Sequence, residues 1–78
     1  MMNVEHLIHM ANRIGDFFEV YPDRDEARRG IANHLQKFWE PRMRRDLYAQ
    51  LDRDGAPELK PIVTETIQQH RAELSPSN

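Results

Sequence analysis

The chain has 78 residues, no cysteine, 31% charged residues and a formal net charge of −2. This length allows one domain with a small core. The missing cysteines exclude disulfides and thiolate metal sites, and the acidic total disfavours a general affinity for nucleic acid. No apolar run approaches the length of a membrane span, and the N-terminus lacks the pattern of a signal peptide. We therefore expect a cytoplasmic protein with no membrane contact.

A first helix is predicted from Asn3 onward. Asparagine is a favoured N-cap, and the apolar residues that follow it recur at the spacing of one helix face. Gly15 lies on or near this face, where a missing side chain lets another helix approach closely. Since glycine costs a helix up to about 1 kcal/mol, we expect Gly15 to have a packing role. The helix should stop before Pro22, because the residue before a proline avoids the helical conformation.

A second helix is predicted to start at Asp23, which together with Glu26 forms a signature resembling a capping box. Pro41 ends this helix and suits the first position of a third one, where no amide donor is needed. The apolar stripe of the second helix is Ala27, Ile31, Leu35 and Phe38.

The third helix is predicted to close at Gly55, which supplies a C-terminal glycine signal. A fourth helix should start near Leu59 to Pro61 and run to about Glu73. The polar residues 75–78 are expected to form a disordered tail. We therefore predict an all-α fold, a small bundle of three to four short helices that forms a single domain over residues 1–74.

The large aromatic residues are divided between core and surface. Phe17, Phe18 and Phe38 are expected in the core. Trp39 lies one position away from the Phe38 stripe, so it is assigned equally to a lid on the core and to an anchor in a partner protein, a role in which tryptophan is enriched. Tyr21, in the loop between the first two helices, is open to the same two interpretations.

The first turn of the third helix carries three arginines, Arg42, Arg44 and Arg45. A helix N-terminus carries partial positive charge, so each arginine there costs about a few tenths of a kcal/mol. Arginine is also favoured in protein interfaces. We therefore predict that these side chains face acidic groups outside the chain. Neutralisation by Glu40 and Asp46 within the chain is the alternative.

The sequence offers a partner-binding site and no catalytic one. The four histidines lack the spacing of a zinc or di-iron site. The serines are confined to positions 75 and 77, and no glycine-rich phosphate loop occurs. We therefore assign no catalytic, cofactor-binding or metal-binding residue, and we do not expect an enzyme. The residues predicted to bind a partner are Tyr21, Phe38, Trp39, Pro41, Arg42, Arg44 and Arg45.

Two segments of the chain resemble a known protein family. Residues 10–18, MANRIGDFF, resemble a MANQIGDFF-type opening, and residues 30–44, GIANHLQKFWEPRMR, resemble a GIANHxxxFWxPRMR-type centre. The family is the delta subunit of soluble, NAD-dependent formate dehydrogenases that contain molybdenum or tungsten. The likeness covers about residues 4–71, and Arg13 stands where the family motif has glutamine.

The resemblance implies a non-catalytic accessory subunit that itself holds no cofactor. Its partner is then the large catalytic subunit. The partner subunits are expected to carry bis-molybdopterin guanine dinucleotide, iron–sulfur clusters and FMN. The implied role is assembly of the complex, cofactor insertion or stability. The alternative, from a different class, is a free-standing helical regulatory protein that self-associates, so that the isolated chain forms a homodimer.

Overall fold

The computed structural model describes the backbone of residues 3–74 and the side chains of residues 3–71. Within this part of the chain every regular element is helical. The predicted all-α class and its four helices are therefore confirmed, whereas the predicted tail at 75–78 lies outside the described residues. The helices are α1 (Val4–Phe18), α2 (Arg24–Phe38), α3 (Pro41–Asp54) and α4 (Pro61–Leu74).

The helix starts agree with the sequence signals. The Asn3 side chain accepts a hydrogen bond from the amide two residues later at 2.8 Å. Asp23 Oδ1 accepts from the amides of Asp25 at 2.9 Å and Glu26 at 3.4 Å. These bonds satisfy amides that have no partner within the helix. Pro41 occupies the first position of α3, as predicted.

The connection between α3 and α4 is held against α1. Gly55 ends α3 with φ of 79°, a left-handed conformation that glycine adopts without steric cost. The Asn12 side chain of α1 then donates to the Glu58 carbonyl at 2.9 Å and accepts from the Lys60 amide at 2.8 Å. One amide side chain therefore fixes the loop that leads into α4.

The core lies where the four helices meet. The α2 helix packs most extensively against α4, and α1 contacts the other three helices. Thr66 is fully buried in this core, and its hydroxyl donates to the Ile62 carbonyl at 2.7 Å, so its polar atom is paired. The largest fully buried apolar side chains are Leu7, Ile31, Leu35, Leu47, Ile62, Val63 and Ile67.

Two glycines allow close helix contacts. A Cβ atom on Gly15 would lie 2.8 Å from Cγ2 of Val63 on α4. The predicted packing role of Gly15 is therefore confirmed. A Cβ atom on Gly30 would lie 2.5 Å from two ring carbons of Phe18, so the Phe18 ring rests directly on the α2 backbone at this point.

Ion pairs fasten α4 near both of its ends. Glu65 pairs with Arg24 at 2.8 Å and with Arg28 at 3.0 Å, both on α2. Arg71 donates two hydrogen bonds of 2.8 Å to the carboxylate of Asp52 on α3. Hydrogen bonding to Arg24 lowers the pKa of Glu65, and hydrogen bonding to Arg71 lowers the pKa of Asp52. Because these groups are partly exposed, each pair adds only modestly to stability.

Candidate functional site

Phe38 and Trp39 are neighbours in the sequence, yet their side chains have opposite environments. Phe38 is 71% exposed and Trp39 is 5% exposed. The backbone of Trp39 is extended, with φ of −90° and ψ of 136°, because the chain leaves α2 there. Helical spacing therefore no longer decides where the Trp39 side chain points, and it joins the core. The prediction that Phe38 belongs to the core is wrong, and Trp39 takes the core position at this end of the helix.

A row of exposed and half-buried rings runs from the end of α1 across α2. The Phe17 and Phe18 rings meet edge to face with centroids 5.0 Å apart, and Phe18 lies 5.7 Å from Tyr21. His34 lies 6.5 Å from Phe18 and 4.8 Å from Phe38, which continues the row along α2. We call the following set the aromatic face: Phe17, Phe18, Val20, Tyr21, His34 and Phe38.

The aromatic face brings together two of the predicted site residues, Tyr21 and Phe38, and adds others. Phe17 is 66% exposed, so its predicted place in the core is wrong, whereas Phe18 packs against the core as expected. Successive helical residues are about 100° apart, so Phe17 and Phe18 point in different directions from α1. Phe18 is the one that packs on α2 at Gly30, and only the folded chain shows which of the two does so. For Val20, which lies just beyond the helix end and is 78% exposed, the sequence contained no signal that predicted exposure.

Arg44 is buried and caps the end of α2. Its Nη1 donates to the Trp39 carbonyl at 2.7 Å, the Leu35 carbonyl at 3.3 Å and the Gln36 carbonyl at 3.4 Å. Carbonyls at a helix C-terminus lack intrahelical partners and carry partial negative charge. Arg44 therefore belongs to the first turn of α3, but its charge neutralises the partial negative charge at the end of α2. The prediction of an outward-facing side chain is wrong for Arg44.

Pro41, Arg42 and Arg45 are exposed at the start of α3. Within residues 3–71, neither Arg42 nor Arg45 forms an ion pair with Glu40, Asp46 or any other residue. The predicted site is thus divided in two. The predicted site residues that lie at the surface are Tyr21, Phe38, Pro41, Arg42 and Arg45. The other two, Trp39 and Arg44, lie inside the fold and support that surface.

The fold and the site define a small all-α protein with an exposed aromatic face. Its described residues contain no group of three or more metal-ligating side chains. The chain matches the family model of the NADH-dependent formate dehydrogenase delta subunit FdsD over residues 6–67. It therefore belongs to this family. No curated protein and no solved structure matches it. None of the described helices is both long and apolar enough to cross a membrane.

Proposed function

We propose that this chain is a non-catalytic accessory subunit of a cytoplasmic NAD-dependent formate dehydrogenase. In this proposal it binds the large, molybdopterin-containing subunit and supports assembly, cofactor insertion or stability. Family membership supports the choice of enzyme. The observation that supports the binding surface is the aromatic face, in which Phe17 and Phe38 are 66% and 71% exposed. A phenylalanine that passes from water into an interface contributes roughly 1.5–3 kcal/mol.

Family membership favours a different protein, rather than a second copy, as the partner, and the aromatic face is large enough to form only the centre of such an interface. Its exposed side chains present roughly 400 Å² of surface. Each protein in a standard interface buries about 800 Å², and permanent dimers generally bury more. The aromatic face therefore suits the apolar centre of a standard interface with a polar rim. Pro41, Arg42 and Arg45, which begin three residues after Phe38, supply part of such a rim.

Trp39 and Arg44 contribute to this surface from beneath it. Trp39 fills the core at the end of α2, and Arg44 ties the α2 carbonyls to the first turn of α3. Together they fix the angle at which Phe38 on one helix stands relative to Arg42 on the next. Their part in binding is thus to position exposed residues.

Co-purification tests the proposed surface. A tagged chain is produced together with the large subunit, and the recovered large subunit is quantified. The double variant Phe17→Ser/Phe38→Ser should retain its helical circular dichroism and recover at least about tenfold less partner, because it loses two apolar anchors. The matched control, Gln68→Ser/Gln69→Ser on the exposed side of α4, should recover the wild-type amount.

Two results would contradict the proposal. One is undiminished recovery of the large subunit by the phenylalanine double variant. The other is a stable dimer of the isolated chain, seen by size-exclusion mass measurement, that shows no affinity for the large subunit. The second result would favour the self-associating regulator.

The proposed role is tested on the large subunit itself. The large subunit produced without this chain should be recovered with less molybdenum or tungsten, or should unfold at a lower temperature. Metal analysis separates cofactor insertion from stability, since only the first role lowers metal content in protein that remains folded. Unchanged metal content and unchanged stability would contradict both roles.

A further inference from the structure

An open groove of about 670 Å³ lies between the start of α1 and the outward side of α3. Val4 and Ala49 give it an apolar floor, and Arg42, Asp46 and Arg53 supply its charges. The residues of the aromatic face do not line it. The volume lies within the range of sites that enclose small ligands or short chain segments. The groove is thus distinct from the aromatic face, although it shares Arg42 with the proposed rim.

The charges in the groove favour an anionic occupant. Arg42 and Arg53 form no ion pair with any residue in 3–71, and Asp46 is the one acidic side chain that lines the groove in that range. The groove also adjoins the N-terminus of the 15-residue helix α1, which carries partial positive charge. Other cations that form no ion pair within residues 3–71 are Arg13, Arg29, Lys37 and Arg45, so what distinguishes Arg42 and Arg53 is that both line one groove.

The spacing of the two guanidinium groups sets the length of the occupant. Arg42 and Arg53 are 11 positions apart on α3, which corresponds to about 16 Å along a helix axis at roughly 1.5 Å per residue. An extended polypeptide rises about 3.3 Å per residue. Two carboxylates about five residues apart on an extended segment therefore match the two arginines. Guanidinium groups bind carboxylates through two parallel hydrogen bonds, which favours this pairing over a single point contact.

We propose that this groove binds an extended acidic segment of the partner subunit, with two carboxylates about five residues apart. The identity of the partner rests on the proposed function. Charge complementarity with Arg42 and Arg53 supports the groove without any contribution from the aromatic face. Arg42 then belongs to both parts of the interface, at the start of α3.

A photocrosslinker in the groove tests this proposal in the assembled complex. p-Benzoylphenylalanine replaces Ala49, which is exposed and lines the groove, and in a control it replaces Gln69 on α4. Irradiation of the Ala49 variant should capture a segment of the large subunit that contains at least two acidic residues about five positions apart. The Gln69 variant should not capture this segment. A complex that forms while the Ala49 variant captures nothing, or only a segment without acidic residues, overturns the groove proposal and leaves the proposed function standing.

If no complex forms, that failure counts against the proposed function alone. A peptide probe then tests the groove on the isolated chain. The probe is a fluorescein-labelled decapeptide with glutamates at its third and eighth positions, and its control carries glutamines there. At fixed ionic strength, anisotropy should show binding at least about fivefold tighter for the glutamate peptide. Arg53→Gln should abolish this preference, and Arg13→Gln on the exposed side of α1 should retain it. Equal affinity for the two peptides, an unchanged preference in Arg53→Gln, or equal competition by inorganic phosphate overturns the proposal.

Discussion

Two regions of the molecule meet at Phe38 and Trp39: the junction between α2 and α3, and the aromatic face. They differ in how deeply their side chains are buried. At the junction, Trp39 and Arg44 are 5% and 8% exposed, and the Arg44 guanidinium donates to carbonyls at the end of α2 and to the Trp39 carbonyl. On the aromatic face, Phe38 and Phe17 are about two-thirds exposed. Buried residues that the fold needs and exposed residues thus alternate within one short segment. Stability and binding measurements should separate them.

Replacing Trp39 with alanine should produce the largest difference between the two regions. Truncation of a buried tryptophan removes apolar contacts and leaves a cavity, at a cost of about 3–5 kcal/mol. Phe38→Ala should change the free energy of unfolding by less than about 1 kcal/mol, because the Phe38 ring is mostly in water. Urea unfolding followed by circular dichroism measures both values. Equal losses in the free energy of unfolding would show that Trp39 and Phe38 do not differ in their contribution to the fold.

Arg44→Met and Arg45→Met compare a buried with an exposed arginine. Arg44→Met should cost about 2–3 kcal/mol, because buried carbonyls at the end of α2 lose a charged donor. Arg45→Met should stay within about 0.5 kcal/mol. Urea unfolding followed by circular dichroism measures both changes. Arg44→Lys serves as a variant that keeps the positive charge but loses the planar guanidinium group. An unchanged free energy of unfolding in Arg44→Met would show that the cap adds little to stability.

Gly30→Ala should lower both the stability of the fold and binding through the aromatic face. The added methyl group would overlap the Phe18 ring, and forced packing of this kind costs about 1–3 kcal/mol. The higher helix propensity of alanine offsets about 1 kcal/mol of this cost. Since Phe18 links Phe17 to His34 in the aromatic face, recovery of the large subunit should also fall. Asn33→Ala, at an exposed position of the same helix, is the control. Loss of stability with full recovery of the partner would show that the aromatic face tolerates displacement of the Phe18 ring.

Tyr48 and Tyr21 differ in burial and allow a comparison at alkaline pH. Burial raises the pKa of Tyr48 to about 12 from an ordinary 10.0. Above pH 10 the unfolded chain releases this proton while the folded chain retains it, so stability should fall between pH 10 and 12. Tyr48→Phe should remove that part of the fall, and Tyr21→Phe should leave it in place. An unchanged alkaline profile in Tyr48→Phe would contradict the raised pKa.

The smallest effect is expected at acid pH from the ion pairs of α4. Hydrogen bonding to Arg24 lowers the pKa of Glu65 below its ordinary 4.5. Its contribution to stability is therefore complete above pH 4.5 and is lost as pH falls through the lower folded value. Thermal unfolding of wild type and Glu65→Gln should differ above this range and converge below it. A difference that persists unchanged at lower pH would show that the pairing with arginine contributes nothing.

The helix boundaries were predictable because their signals are local. Asn3, Asp23, Pro41 and Gly55 each act on backbone within a few residues, so one stretch of sequence contains both the cap and the group that it satisfies. The packing role of Gly15 was also predictable, since a glycine on an apolar helix stripe indicates a close neighbour. That the neighbour is Val63 depends on how the helices assemble.

The site was less predictable because its decisive contacts depend on the turn between helices. The helical spacing that assigned Phe38 to the core does not extend to Trp39, where the backbone becomes extended. Arg44 looked misplaced at the start of α3 because the carbonyls that it caps belong to the last turn of the preceding helix and to its C-cap residue. The aromatic face, in turn, joins residues from two helices and a loop, so only the folded chain shows it as a continuous surface.

Hydroxyl-radical footprinting of the free chain and of its complex with the large subunit tests the central claim, that Phe38 is free for a partner while Trp39 belongs to the fold. Tryptophan labels readily when exposed, so the method is sensitive at Trp39. We predict strong labelling of Phe38 and Phe17 in the free chain, protection of both in the complex, and weak labelling of Trp39 in both states. Strong labelling of Trp39 in the free chain that disappears in the complex, with Phe38 unchanged, would contradict the account.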